Sequence, residues 1–253
     1  MKIAILGFGP SAQMAAWASM QYGHSVEFLA DAFIQRQNYG VFFLHDACDL
    51  PLDGFKIKQM VIGGEGLTAE EKADIYGTMV YGNSAEGWGI SLALEKPLLT
   101  GYDANSAMLY LELFLKGVKQ TTKRFKKYDE VKELLQHYDK VVSTIPASVL
   151  FPDKNFPSIP VWVLQEQRLL PDNFFITNLN PEFGWYRISH ISGRFSIEYA
   201  YEIPAGRPIH KVMQGDLVES TDRILFTGRY GAWNRKIRVE QVYQDTIQFL
   251  VGD

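Results

Sequence analysis

Gly7-Phe8-Gly9-Pro10-Ser11-Ala12 is a G-x-G-x-x-A run, and its residue types suit a phosphate. Gly7 permits a tight turn, Gly9 lets a pyrophosphate approach the main chain, and Ala12 lets a helix lie close on a strand. The anion then meets the free N–H groups and the positive dipole end of the following helix, a position Pro10 and Ser11 open. The alternative is a turn that only joins strand to helix; the surrounding pattern favours dinucleotide binding. Such sites place an acid on the adenosine ribose about 20 residues later. Ala30 holds the aligned position and Asp31 follows it, so Asp31 is either that acid or a solvated loop carboxylate.

Those residues need a strand, a turn and a helix to hold them. Residues 2 to 6 read as a buried strand, Pro10 to Tyr22 as a helix with proline in its first turn, and Ser25 to Ala30 as a second strand. This alternation points to a parallel sheet. Further along come a strand from Phe55 to Ile62, a helix from Thr68 to about Val80, and a helix opening at Asp103, whose side chain can cap it. Apolar Met108, Leu109, Leu111, Leu113, Phe114 and Leu115 nearly encircle the last helix, which predicts deep burial. A polar helix over 129–138 leads into a β-branched strand, Lys140 to Pro146. Four aromatic, β-branched runs between Val161 and Tyr201 predict an antiparallel sheet, with Ser192-Gly193 as a hairpin turn. The chain then returns to a strand at Arg223 to Thr227, a loop from Gly228 to Asn234, and a helix from Ile237 to Val251.

The chain has 253 residues, 47% of them hydrophobic, with a net charge of −4. It reads as a globular protein, with no apolar run near the roughly 18 to 20 residues that span a bilayer. Overall charge gives no footprint for nucleic acid; Lys119, Lys123, Arg124, Lys126 and Lys127 form one basic stretch, read as a solvated helix end or loop or as an anion contact. The single Cys48 forms no intrachain disulfide, so nothing requires an oxidising compartment and a cytoplasmic location is expected. The opening residues mimic a signal peptide, but Gly7-Phe8-Gly9-Pro10 breaks the apolar run too early. Zinc motifs and a G-x-S-x-G elbow are absent from the sequence. Cys48 near His45 is a loop spacing that arises by chance.

Four stretches together resemble the flavoprotein group containing UDP-galactopyranose mutase, protoporphyrinogen oxidase and the amine oxidases. They are the glycine turn; Tyr39-Gly40-Val41-Phe42-Phe43-Leu44-His45, similar to a mutase segment with a histidine beside the flavin; Val141-Val142-Ser143-Thr144-Ile145-Pro146, similar to a strand passing the FAD; and Ile224 to Gly231 with its following helix, similar to the segment that returns to the flavin. The resemblance implies FAD as cofactor. It assigns Gly7, Gly9, Pro10, Ser11, Ala12, Asp31, His45, Thr144, Ile145, Pro146, Gly228, Arg229, Tyr230, Ile237 and Arg238 to the cofactor site. Trp185-Tyr186-Arg187-Ile188-Ser189-His190 also looks like the mutase substrate sheet, which makes Arg187 a candidate catalytic residue beside His45. Their bland readings are an exposed Arg187 and a hydrogen-bonded His190 on a sheet edge, and a core His45. The chain departs from the mutase pattern after Arg229, where Trp233-Asn234-Arg235-Lys236 replaces paired tyrosines and an aspartate.

The fold expected is therefore α/β: a doubly wound, Rossmann-like FAD-binding domain over 1–60, 130–160 and 218–253, and a reduced α+β substrate domain with an antiparallel sheet over 61–129 and 161–217. The function implied is an FAD-dependent oxidoreductase acting on a small molecule, an amine or alcohol. A flavin-binding scaffold without catalysis and a flavoenzyme modifying a nucleobase or nucleic acid are the alternatives.

Overall fold

A computed structural model of the chain describes residues 1–33, 43–83, 90, 94, 96–166 and 172–252. Two sheets organise it. Sheet A has five parallel strands in the order β13-β7-β1-β2-β6, with β1 at Lys2–Leu6, β2 at Ser25–Ala30, β6 at Lys119–Thr122, β7 at Lys140–Ser143 and β13 at Ile224–Phe226. Period-2 alternation sends β1 to two cores, as befits a parallel strand covered on both faces. Ile3 and Ile5 pack with helix α1 (Pro10–Gln21), and Ala4 and Leu6 pack with Leu29, Val131, Leu134 and Phe226 on the other side.

Every residue of α1 from Ala12 to Ser19 is buried, because the helix lies between the sheet and two further helices, α3 (Ala104–Phe114) and α6 (Val239–Val251). The alanines at 12, 15, 16 and 18 leave room for that packing. Trp17 fills the remaining gap, and its indole N–H donates to the Cys48 carbonyl at 2.9 Å. Gly23, at φ 73°, turns the chain into β2.

Sheet B has eight strands in the order β12-β8-β11-β10-β9-β4-β5-β3. They are β3 (Phe43–Leu44), β4 (Gly54–Ile62), β5 (Leu98–Asp103), β8 (Ser158–Glu166), β9 (Phe174–Asn178), β10 (Trp185–Ile191), β11 (Arg194–Tyr199) and β12 (Arg207–Val212). Neighbours are antiparallel except β4 and β9. Ser192 and Gly193, both at positive φ, make the β10–β11 hairpin turn. Helix α2 (Ala69–Tyr81) opens with a capping box between Thr68 and Glu71 and packs Tyr76 and Val80 against Val161 and Tyr186 of the sheet. The α/β class, the parallel first sheet and the antiparallel hairpins match the sequence expectation.

Several expectations are corrected. Helix α3 is not encircled by protein: Asp103 caps it as expected, but Leu109 and Leu113 are 57% and 64% exposed, and only Ala104, Ala107 and Leu111 of the helix are buried. The basic stretch does not begin as a loop or helix end. Lys119 opens edge strand β6, paired with β2, and its ammonium lies 2.9 Å from Glu27. Lysine on a sheet edge also discourages pairing with a further strand. Nor is Arg187 on an edge, because β10 lies inside sheet B between β9 and β11.

Candidate functional site

The register of sheet A aligns the carboxyl ends of its strands, since Leu6 pairs with Leu29 and Ser143, and Ser143 with Phe226. β2 lies on one side of β1 and β7 on the other, so the chain changes direction across the sheet at β1. Ligands of open α/β sheets bind at such a point, outside the carboxyl ends. The glycine turn leaves β1 there.

Each glycine of the turn has its own reason. Gly7 stands at φ 101°, and a side chain on it would meet Thr144 Oγ1 at 2.6 Å, the atom that donates to the Leu6 carbonyl at 2.9 Å. Gly9 has φ −74°, open to any residue, and among the described residues nothing lies within 4 Å of where its Cβ would be. It is exposed, and it is the N-cap of α1 with no side-chain cap over the helix N–H groups. Pro10 occupies the first helical turn. No acidic side chain occupies that turn either, so no carboxylate of the turn offsets the positive end of the helix. Gln13, 3% exposed, donates to the Phe8 carbonyl, and its Oε1 has no partner among the described residues.

The closing loop reaches the same place. Gly228, at φ 78°, sits so near α1 that a side chain would meet Ser11 Oγ at 2.9 Å. Gly231 packs on the backbone of Ser143 and Thr144. The Tyr230 carbonyl accepts from Ala147 N, tying the loop to the Thr144-Ile145-Pro146 turn after β7, and its hydroxyl donates to the His210 carbonyl of β12. Thus Gly7, Gly9, Pro10, Ser11, Ala12, Thr144, Ile145, Pro146, Gly228, Arg229 and Tyr230 gather at the carboxyl edge of sheet A. Asp31 is the first residue beyond β2 and is exposed.

His45 follows β3 and lies at the amino end of α6, where its N–H faces Glu240 Oε1 at 3.4 Å and its ring packs edge-on to Phe43 at 4.8 Å. Burial, with the nearby Arg238 and Lys96 cations, lowers its pKa to about 4, so the imidazole is neutral at pH 7. Ile237 and Arg238 precede the same helix. The structure therefore groups His45, Ile237 and Arg238, and links them through the 228–238 segment to the glycine turn. Residues 39–42 of the histidine stretch lie outside the described residues. Cys48 is buried, and burial beside Asp46 and Glu240 raises its thiol pKa, so it is no nucleophile.

Arg187 and His190 do not converge. Arg187 donates through Nε and Nη2 to Glu198 of β11, while His190 is buried among Phe174 and Phe195. Sequence reasoning missed Glu198 as the partner of Arg187, and Lys211 as a second cation on the same carboxylate. Only the Arg187–Glu198 pair had a signal, since β10 and β11 are joined by a two-residue turn that sets these residues opposite each other. A shallow depression of about 320 Å³ over β4 and β9 is lined by none of the candidate site residues. Among the described residues no three His, Cys, Asp or Glu side chains gather as metal ligands, and no helix is long and apolar enough to cross a membrane.

The architecture defines a class: a Rossmann-like parallel sheet joined to a large mixed sheet, as in solved flavoproteins. An oxidoreductase from Methanosarcina mazei is similar over 100% of both chains, with a TM-score of 0.59 and 11% identity. A flavin-dependent halogenase from Xanthomonas campestris is similar over 99% of this chain and 70% of its own, with a TM-score of 0.58 and 10% identity. The PF1083 protein from Pyrococcus furiosus covers 99% of this chain and 97% of its own at a TM-score of 0.61 and 10% identity. No protein-family model and no curated protein matches the sequence. At these identities the likeness is one of fold.

Proposed function

We propose that the chain binds FAD and is an oxidoreductase acting on a small molecule. One observation carries the reading. Gly9 is a glycine that its own backbone does not require, with no described atom within 4 Å of its Cβ position and an uncapped helix behind it. A residue kept small where the fold would accept a larger one makes room for something from outside, and helix N–H groups choose an anion. The flavin-dependent halogenase and the oxidoreductase that share the fold support the choice of cofactor.

In this reading Gly7, Gly9, Pro10, Ser11 and Ala12 hold the pyrophosphate, and Asp31 takes the ribose at the end of β2. Thr144, Ile145, Pro146, Gly228, Arg229 and Tyr230 line the middle of the cofactor, and His45, Ile237 and Arg238 stand towards its ring. The cofactor-binding unit spans 1–60, 130–160 and 218–253, and the remainder forms the substrate unit. When bound, FAD supplies a two-electron acceptor for an amine or alcohol. The protein's own part is to position and to set charge. Neutral His45 donates or accepts one hydrogen bond without adding charge, and Arg229 and Arg238 supply positive charge for a phosphate or a reduced ring. The order of the four stretches further suggests the group of UDP-galactopyranose mutase, protoporphyrinogen oxidase and the amine oxidases.

The test is the absorbance spectrum of the purified protein, followed by acid release and chromatography of any chromophore. A yellow protein that releases FAD is the expected result. A colourless protein that takes up no added FAD would overturn the reading.

A further inference from the structure

Among the described residues, buried charges meet in sheet B, partly on the strand that the closing loop touches. Glu198 is 1% exposed and accepts from the Tyr186 hydroxyl and from Arg187, while Lys211 Nζ of β12 lies 3.4 Å from its Oε2. A bulge between Trp185 and Arg187 lets two consecutive residues reach one carboxylate. Two cations thus share one anion. Both are withdrawn from water, with side chains 20% and 9% exposed. Desolvating a cation without a full counter-charge is costly.

Aromatic faces offset part of that cost. Lys211 Nζ stands 4.6 Å from the Tyr186 ring centre and 5.8 Å from that of Tyr81. They do not neutralise it, and burial together with the Arg187 and Arg229 guanidiniums holds the Lys211 pKa well below the usual ammonium range. Arg229 adds a further cation from the closing loop. It is exposed, and it lies near enough to act electrostatically on Lys211, Tyr76 and Tyr81. The Tyr230 hydroxyl, bonded to the His210 carbonyl, fixes that loop beside Lys211. Among the described residues two basic side chains share this one carboxylate, and exposed Arg229 stands on the closing loop, whose Gly228 rests on α1.

We propose that the Arg187, Lys211 and Arg229 cluster seats an anionic group of the substrate, a carboxylate or a phosphate, which completes the charge balance that Glu198 begins. The ligand's role as substrate rests on the proposed function; the anion site stands on the charges. The cations are gathered under one loop rather than spread along a surface, which suits a small molecule and not a nucleic-acid backbone.

Calorimetric titration of the full chain with inorganic phosphate and with succinate, with flavin content read by absorbance on the same sample, tests this. At least one anion should bind. Lys211→Met and Arg229→Ala should each weaken it by about tenfold or more, the effect of losing a hydrogen bond to a charged group. Methionine keeps the apolar stem of Lys211, and Arg229 is exposed, so both variants should fold. Tighter binding of phosphate marks a phosphate ester, and of succinate a carboxylic acid. Gly9→Val should leave anion affinity unchanged, which separates this site from the helix terminus. The proposal is overturned if neither anion binds, if both charge-removing variants bind as the parent does, or if Gly9→Val alone abolishes binding. A colourless protein that binds anion through Lys211 would refute the flavin reading and leave this site standing; a flavoprotein that binds neither anion would do the reverse.

Discussion

The carboxyl edge of sheet A and the Glu198 cluster of sheet B handle polarity in opposite ways. At the glycine turn the groups facing open space are main-chain N–H groups at the head of α1, with no acidic side chain in the first turn. At Glu198 they are ionised side chains packed in the interior on strands from distant parts of the sequence. Helix N–H groups are fixed in place and solvated when the site is empty, so that region demands only small residues and correct backbone. Inside sheet B two cations rest on one carboxylate, so removing Glu198 strands both. The first region should therefore lose ligand when altered, and the second should lose stability.

The largest effect that sharpens this contrast is expected from Glu198→Ala. It leaves Arg187 and Lys211 buried without their shared carboxylate, and breaking a buried pair in this way costs about 3–5 kcal/mol. Lys211→Met removes the surplus cation instead and should lie within about 1 kcal/mol of the parent or be more stable. Urea unfolding midpoints measure both. Equal destabilisation by the two substitutions would mean that Lys211 is not in surplus.

Next comes the acid limb of the pH–stability profile. His45 titrates near 6.5 when unfolded and at about 4 when folded, so the unfolded chain binds more protons between those values. Its contribution is complete above pH 6.5 and is lost as pH falls towards 4, by up to about 3 kcal/mol at 1.36 kcal/mol per unit. Glu240, which faces it, acts in the opposite sense, since burial raises its pKa and the folded state then holds the proton more firmly. His45→Gln keeps a polar group and should remove the part of the loss between pH 6.5 and 4 that His45 supplies. An acid limb identical to the parent's would show that His45 titrates freely in the folded protein.

Gly7→Ala follows. It places a side chain at φ 101° and 2.6 Å from Thr144 Oγ1, which is already committed to the Leu6 carbonyl. A cost of about 1–3 kcal/mol in thermal or urea unfolding is expected. A variant as stable as the parent would mean that the turn relaxes and that this glycine is no more constrained than Gly9.

The same contrast decides what could be read from the chain alone. Sheet A was legible because its signals are local: β-branched runs, a proline after the glycine turn, and Gly23 behind the helix. The pairing of Lys119–Thr122 with β2 was not, since a polar run such as Lys-Gln-Thr-Thr becomes a strand only when an edge lies free for it. Burial of α3 was overestimated because hydrophobic pattern tells which residues are apolar, not how many neighbours the fold supplies; Leu109 and Leu113 face outward. Lys211 was illegible for a related reason. It sits on β12, which reaches the cluster through β8 and β11, and no spacing in the sequence connects it with Arg187.

The smallest expected change in stability tests the contrast most directly. Gly9→Val adds a side chain where nothing among the described residues lies within 4 Å, at a backbone angle that valine adopts without strain. Its unfolding free energy should fall by no more than about 1 kcal/mol, the weaker helix cap that valine provides. Yet the added methyl groups would occupy the space before the α1 N–H groups, so FAD content should drop to a small fraction of the parent's while circular dichroism and melting stay near it. Gly7→Ala and Gly9→Val would then separate the two glycines of one motif, the first required by the fold and the second by the ligand. A folded Gly9→Val protein with FAD at parental occupancy would place the pyrophosphate elsewhere, and with it would go the assignment of this turn as a phosphate cradle.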